Sequence, residues 1–206
     1  MGYSTDFNGT FKLSRQATPE EIDYINLISE TRRMKRDVNK LMELYQGKYG
    51  NPFATDNTPE SIYGEFGEYF AMNDNDHGQR SDNSILDYNR APGEESGFIS
   101  ATRIQSNYQS VKPKIGQPGL WCQWIIEGDG YELEWNGAEK FYNYIEWLKY
   151  LIDRFFEPWG IKLNGEIEWQ GEDMSDRGKI GVIDNIVKTY KVEYVEDKEE
   201  SDKDWD

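Results

Sequence analysis

The stretch at residues 119–169, GLWCQWIIEGDGYELEWNGAEKFYNYIEWLKYLIDRFFEPWGIKLNGEIEW, decides the fold and holds six of the seven tryptophans. In residues 120–126 the even positions (Leu120, Cys122, Trp124, Ile126) make one face, and Trp121, Gln123 and Ile125 make the other. Apolar groups on both faces predict a strand covered on both sides. Glu127-Gly-Asp-Gly130 is a turn signal, because glycine reaches positive φ without a Cβ penalty. Residues 131–135 then alternate strictly, with Tyr131, Leu133 and Trp135 inward and Glu132 and Glu134 to water, completing a hairpin.

Asn136-Gly-Ala-Glu139 has the spacing of a helix cap. Phe141, Ile145, Leu148, Ile152 and Phe155 then recur at intervals of three and four, and Tyr142, Trp147 and Phe156 widen the stripe. The spacing predicts a long amphipathic helix over about residues 137–156, stopped by Pro158. At residues 161–169 the period returns to two, with Ile161, Leu163, Ile167 and Trp169 on one side and Lys162, Glu166 and Glu168 on the other. The change of period from 2 to 3.6 and back predicts an α+β fold: an antiparallel sheet of about five to six strands with the long helix on one face.

Working outward, Phe7, Gly9, Phe11 and Leu13 alternate as another strand. Thr18-Pro-Glu-Glu21 is a helix start, followed by Ile22, Ile25 and Ile28; an N-terminal helical segment resumes with Met34, Val38, Leu41 and Tyr45. Residues 46–118 are rich in Asn, Asp, Gly and Ser and read as an irregular insertion. Within it a short strand pair is expected from Tyr63 to Met72, an anchor at Ile85-Leu-Asp-Tyr-Asn89, and a surface loop over 91–118. Residues 179–183 and 186–195 form a hairpin about Asp184-Asn185, with Tyr190, Val192 and Tyr194 facing alike. One domain over residues 1–195 is expected, followed by an acidic, disordered tail at 196–206.

The formal charge is −16, and residues 120–206 hold 10 of the basic and 22 of the acidic groups. Such a surface repels nucleic acid and anionic membranes and favours a protein partner with a basic surface. One cysteine excludes an intramolecular disulfide and a cysteine-rich zinc site. With no apolar run of spanning length and no leader pattern at Met1, a cytoplasmic protein is expected.

Arg32-Arg-Met-Lys-Arg36 is the one basic cluster, and two readings of it stand. Arg32, Arg33, Lys35 and Arg36 either pair with the protein's own carboxylates or form an anion site, with Tyr88, Trp121 and Gln123 as candidate companions. The single histidine, His77, lies in a polar loop, which argues against a histidine-based metal site or nucleophile triad. Cys122 alternates with core residues and reads as one of them. Glu166 and Glu168 share a strand face; Glu172, Asp173 and Asp176 follow in a turn and are candidates for a hard divalent cation, or simply turn chemistry. No cofactor motif is present, and none is expected.

Ser29-Glu-Thr-Arg-Arg-Met-Lys-Arg-Asp37, Leu86-Asp-Tyr-Asn89, Gly119-Leu-Trp-Cys-Gln-Trp124, Glu139-Lys-Phe-Tyr142 and Leu163-Asn-Gly-Glu-Ile-Glu-Trp-Gln-Gly-Glu-Asp173 carry a family likeness. Over some two-thirds of its length the chain resembles a family of uncharacterised small acidic proteins of phages, prophages and bacterial genomes. Residues 46–82 and 91–117 depart from that pattern. The resemblance implies a phage-encoded accessory protein in the host cytoplasm and supplies no reaction. Three functions are therefore carried forward. They are a non-catalytic protein that binds or inhibits a host defence or nucleic-acid-handling protein, a receptor for a small anion or nucleotide signal built on Arg32–Arg36, and a carboxylate-dependent hydrolase.

Overall fold

The computed structural model describes residues 2–92 and 116–191. In chain order the elements are β1 (Thr5–Leu13), α1 (Pro19–Glu30), β2 (Lys35–Arg36), α2 (Val38–Tyr45), α3 (Pro59–Tyr63), β3 (Ile85–Asp87), β4 (Trp124–Ile126), β5 (Glu132–Trp135), α4 (Tyr144–Leu151) with a wider π turn at Ile152–Phe156, β6 (Leu163–Gly171), β7 (Arg177–Ile183) and β8 (Ile186–Lys191). The fold is α+β. Six strands form one antiparallel sheet in the order β4-β5-β1-β6-β7-β8, and β2 pairs with β3 apart from it.

The period-two segments explain the sheet. β1 and β6 pair along their whole length, Phe7 opposite Trp169, Gly9 opposite Ile167, Phe11 opposite Gly165 and Leu13 opposite Leu163. Bulky residues thus meet glycines across the two central strands. A Cβ on Gly9 (φ +114°) would lie 2.8 Å from the Glu166 carbonyl oxygen, and one on Gly165 (φ +138°) 2.9 Å from that of Thr10. Only glycine permits this approach. At the β7–β8 tip, Asp184 and Asn185 both take positive φ, as a two-residue hairpin requires. The Asn185 carboxamide also accepts from the Leu163 N–H and donates to the Ile161 carbonyl, fixing the tip to the start of β6.

One sheet face carries the core. Phe11, Leu13, Trp124, Ile126, Leu133, Leu163, Ile167, Ile180 and Val182 pack with Tyr24, Ile25 and Ile28 of α1 and with Trp147, Leu148, Leu151, Phe155 and Phe156. Phe7 sits among four rings, those of Trp124, Trp135, Phe141 and Tyr144, at centroid separations of 4.9 to 5.9 Å. Edge and tilted contacts of this kind match positive ring edges to negative ring faces. The opposite face points Asn8, Thr10, Glu166, Glu168, Lys179 and Tyr190 to water.

The two outer strands are treated differently. Along β4, the α1 residue Asn26 donates to the Ile126 carbonyl and accepts from the Ile126 N–H, and Ser29 donates to the Cys122 carbonyl. Asn26 thereby occupies the hydrogen-bonding place of a neighbouring strand. Helix α1 itself starts as the sequence directs, with Thr18 and Glu21 closing a reciprocal capping box and Pro19 in the first turn. β8 lies at the other edge of the sheet.

Several expectations are corrected. The long helix over 137–156 is a short one, from Tyr144 to Leu151, followed by the π turn. Gly137, Lys140 and Asn143 all have positive φ, and the Asn136 side chain accepts from the Ala138 N–H, so residues 136–143 run irregularly, with a bend at 139 and a turn at 142–143, instead of the expected capped start. The π turn, closed by the Glu157 N–H on the Ile152 carbonyl, lets Ile152, Phe155 and Phe156 all face inward. The N-terminal helical segment is two short helices: Met34 lies on extended chain, and α2 begins only after Asp37, whose side chain caps it. The strand pair expected from Tyr63 to Met72 is absent. Thr58-Pro59-Glu60 starts α3 by the same cap-and-proline logic as α1, and turns follow it. β4 is confined to Trp124–Ile126. Residues 46–92 are not structureless, since Ile62, Tyr63, Phe70 and Met72 pack with Val38 and Leu41 into a second apolar cluster. The tail at 196–206, the facing of Val192 and Tyr194, and most of the loop at 91–118 lie outside the described residues.

Asn26→Ala leaves the Ile126 N–H and carbonyl without partners at a buried edge. It is expected to lower the unfolding free energy by about 1–3 kcal/mol, read as a lower urea midpoint at unchanged slope.

Candidate functional site

The basic cluster is threaded through the molecule, not laid on its surface. Between α1 and α2 the chain runs extended, and its backbone N–H groups reach five separate segments. Arg32 donates to His77 (2.9 Å), Arg33 to Leu120 (2.8 Å), Lys35 to Arg90 (2.9 Å), Arg36 to Phe66 (2.8 Å) and Asp37 to Ser84 (2.7 Å), each at the carbonyl oxygen. Successive side chains therefore diverge, as they must on extended chain.

Arg36 is 1% exposed. Its guanidinium donates to both Asp82 carboxylate oxygens (3.2 and 3.1 Å), to the Ser84 hydroxyl (2.7 Å) and to the Gly78 carbonyl (2.7 Å), and stacks 4.6 Å from the Phe70 ring centre. Tyr45 donates a further bond to Asp82 at 2.9 Å. Burial pushes the Asp82 carboxyl up, but the Ser84 hydroxyl and N–H, Arg36 and Tyr45 together outweigh it and hold the carboxyl below its ordinary value of 3.8.

Arg33 is also 1% exposed and has a different environment. Its Nη2 donates to the Glu68 carbonyl at 2.6 Å and its Nε to Gln117 Oε1 at 3.4 Å, while Nη1 is buried without a partner among the described residues. Gln117 in turn donates to the Glu68 carbonyl and the Tyr150 hydroxyl. Desolvation lowers the Arg33 pKa from its ordinary value, partly offset by the nearby Tyr150 and Tyr24.

Arg32 and Lys35 are half-buried. The Arg32 guanidinium lies 4.4 Å from the Tyr88 ring centre and donates to the Tyr88 carbonyl, and the Lys35 ammonium lies 4.3 Å from the Phe66 ring centre. Arg32 and Tyr88 are thus brought together, whereas Arg33 and Arg36 are inside and apart from them.

Trp121 and Gln123 belong to another place. They line a cleft of about 380 Å³ with Glu30, His77, Asn136 and Glu139. The His77 and Trp121 rings meet edge-on at 6.4 Å. Gln123 is locked, donating to the Glu139 carbonyl (3.1 Å) and accepting from the Trp135 indole N–H (3.0 Å). Cys122 is in the wall, its thiol pushed up to about 12 by burial. Glu30, His77 and Asn136 as companions of Trp121 had no local signal in the sequence, because the end of α1 and two separate loops deliver them.

The acids after β6 serve as an attachment for the N-terminus. Glu172 accepts from the Ser4 N–H (2.8 Å), Asp176 from the Tyr3 hydroxyl (2.8 Å), and Asp173 from the Ser175 hydroxyl and N–H (2.7 and 2.8 Å). Among the described residues no group of three or more His, Cys, Asp or Glu is placed to hold a metal ion. A broader depression of about 540 Å³ on the open sheet face mixes both signs, Asp6 and Glu168 with Arg177 and Lys179. No helix among the described residues is long and apolar enough to cross a membrane. Neither a family of known proteins, nor a curated protein, nor a solved structure matches the chain.

Arg36→Met strands Asp82 in a partly buried site and is expected to cost about 3–5 kcal/mol in chemical denaturation. Because the Asp82 carboxyl is held below its ordinary 3.8, its contribution is present above that value and is lost as pH falls through the lowered one. Asp82→Asn should accordingly flatten the decline of Tm on the acid side, below about pH 4.

Proposed function

We propose that the chain is a non-catalytic binding protein whose partner is a protein with a basic surface. The observation that carries this reading is the sorting of charge. The two arginines best suited to grip an anion, Arg33 and Arg36, are enclosed, while carboxylates crowd outward. On the β4–β5 hairpin, Glu127 and Asp129 are exposed and Glu132 and Glu134 half-exposed, with Lys12 paired to Glu132. Partial burial and the hydrogen-bonded neighbour Glu127 hold the Glu134 carboxyl above its ordinary range, a sign of like charges pressed together. Such a surface speeds encounter with a cationic partner and rejects polyanions. The setting in which we place it, an accessory protein of phage or prophage that binds or inhibits a host defence or nucleic-acid-handling protein in the host cytoplasm, is supported by the sequence likeness and by that acidic skin.

The reading as a receptor for a small anion or nucleotide signal retains one supporting observation, the buried Nη1 of Arg33, which has no partner among the described residues. Stabilisation by a nucleotide in a thermal-shift screen, abolished in Arg33→Lys, would favour it over the first reading. The hydrolase reading has no comparable support, since Glu172, Asp173 and Asp176 are engaged by Tyr3, Ser4 and Ser175.

Immobilised protein is expected to retain a discrete basic protein from host lysate at low salt and release it at high salt, where a Debye length of about 3 Å screens surface charge. Reversal of Glu127, Asp129 and Glu134 to lysine should abolish retention. No retention above a blank matrix, or retention indifferent to both salt and charge reversal, overturns the reading.

A further inference from the structure

We infer that the cleft over Trp121 receives one cationic side chain, an arginine or a lysine, from the basic partner. This rests on the reading above and names the point at which that partner is gripped. The wall is an indole, the aromatic group that attracts a cation most strongly. Trp121 is half-exposed, and the cleft it lines measures about 380 Å³, at the small end of the range for ligand pockets.

The formally charged residues that line the cleft have one sign. Glu30 and Glu139 both line the cleft and both are exposed. Glu30 is also the last residue of α1, a twelve-residue helix whose last turn carries no basic side chain. The partial negative charge of that helix end therefore adds to the two carboxylates. Nearby cations do not fill the place. Arg32, the neighbour on the chain, has its guanidinium over Tyr88. Lys140 lies 3.7 Å from Glu139, but both side chains are largely in water (47% and 80% exposed), and an exposed pair of this kind yields readily to a competitor.

The remaining lining is suited to holding and not to reacting. Gln123 is fixed at both ends of its carboxamide, and the Cys122 thiol stays protonated at neutral pH. Asn136 is exposed, and its side-chain oxygen is engaged by the Ala138 N–H, leaving the amide N–H₂ without a described acceptor. An anion is repelled by Glu30 and Glu139; a neutral apolar group would leave both carboxylates facing it without compensation.

The test uses N-acetyl-arginine amide and its citrulline analogue, which keeps the shape and loses the charge. In ¹⁵N-labelled protein, the Trp121 indole resonance, assigned by its loss in Trp121→Phe, should move saturably with the arginine compound and little with the citrulline one. Glu30→Gln and Glu139→Gln, both at exposed positions that leave folding intact, should each weaken the response by about three- to fivefold. An equal response to citrulline, or a response unchanged in both glutamine variants, overturns the inference. A labelled nona-arginine peptide at low ionic strength separates this from the broader reading. Wild-type affinity in the Glu30→Gln, Glu139→Gln double variant removes the cleft and leaves the basic partner standing, whereas no binding to the unaltered protein removes both.

Discussion

The extended run between α1 and α2 is the constraint on which the rest of the structure depends. It has almost no pairing of its own, only two residues in β2, yet its N–H groups end on carbonyls at residues 66, 77, 84, 90 and 120. The arginine side chains repeat the pattern, Arg33 reaching Glu68 and Gln117, and Arg36 reaching Gly78, Asp82 and Ser84. A polar stretch of chain with little periodicity is held at several points, residues 66 to 90, because one short segment supplies donors to them. Donors that do not reach acceptors in such surroundings are costly, which makes the arrangement all-or-none.

This internal use of cations shapes the exterior. An arginine enclosed with Asp82 is neutralised locally, and Arg33 is enclosed without a carboxylate among the described residues, so neither side chain lies among the acids in contact with solvent. Of the two, only Arg33 takes a positive charge away from the surface, since the Arg36–Asp82 pair encloses one charge of each sign. The same economy explains the acids of the β6–β7 turn. They anchor the first residues of the chain through Tyr3 and Ser4, closing a contact across 168 to 173 residues of sequence.

Much of the sheet was legible because alternation is a local signal. Phe7, Phe11 and Leu13 and their partners Trp169 and Leu163 read as inward before any pairing was known, and the capping box at Thr18 and Glu21 is complete within four residues. The helix before β6 misled because its apolar spacing continues upstream through Phe141, which is buried, on an irregular backbone that three positive-φ residues keep out of the helix. The start of α3 was written in Thr58-Pro59-Glu60 and was masked by the glycines after it. Arg33 and Arg36 could not be placed from sequence, since what decides their burial lies at Glu68, Asp82, Ser84 and Gln117, tens of residues away. The cleft was half legible: Trp121 and Gln123 alternate in the sequence as one face, although the strand itself begins only at Trp124, while Glu30, His77 and Glu139 come from other segments.

The asymmetry of the sheet's margins has its own consequence. On one side a single asparagine mimics an incoming strand and closes the ladder; among the described residues the other side ends on β8 with nothing beyond it. A strand approaching from the β4 side would find the ladder already closed at Ile126, where one side chain holds both backbone groups, so that margin is shut to pairing by α1 itself.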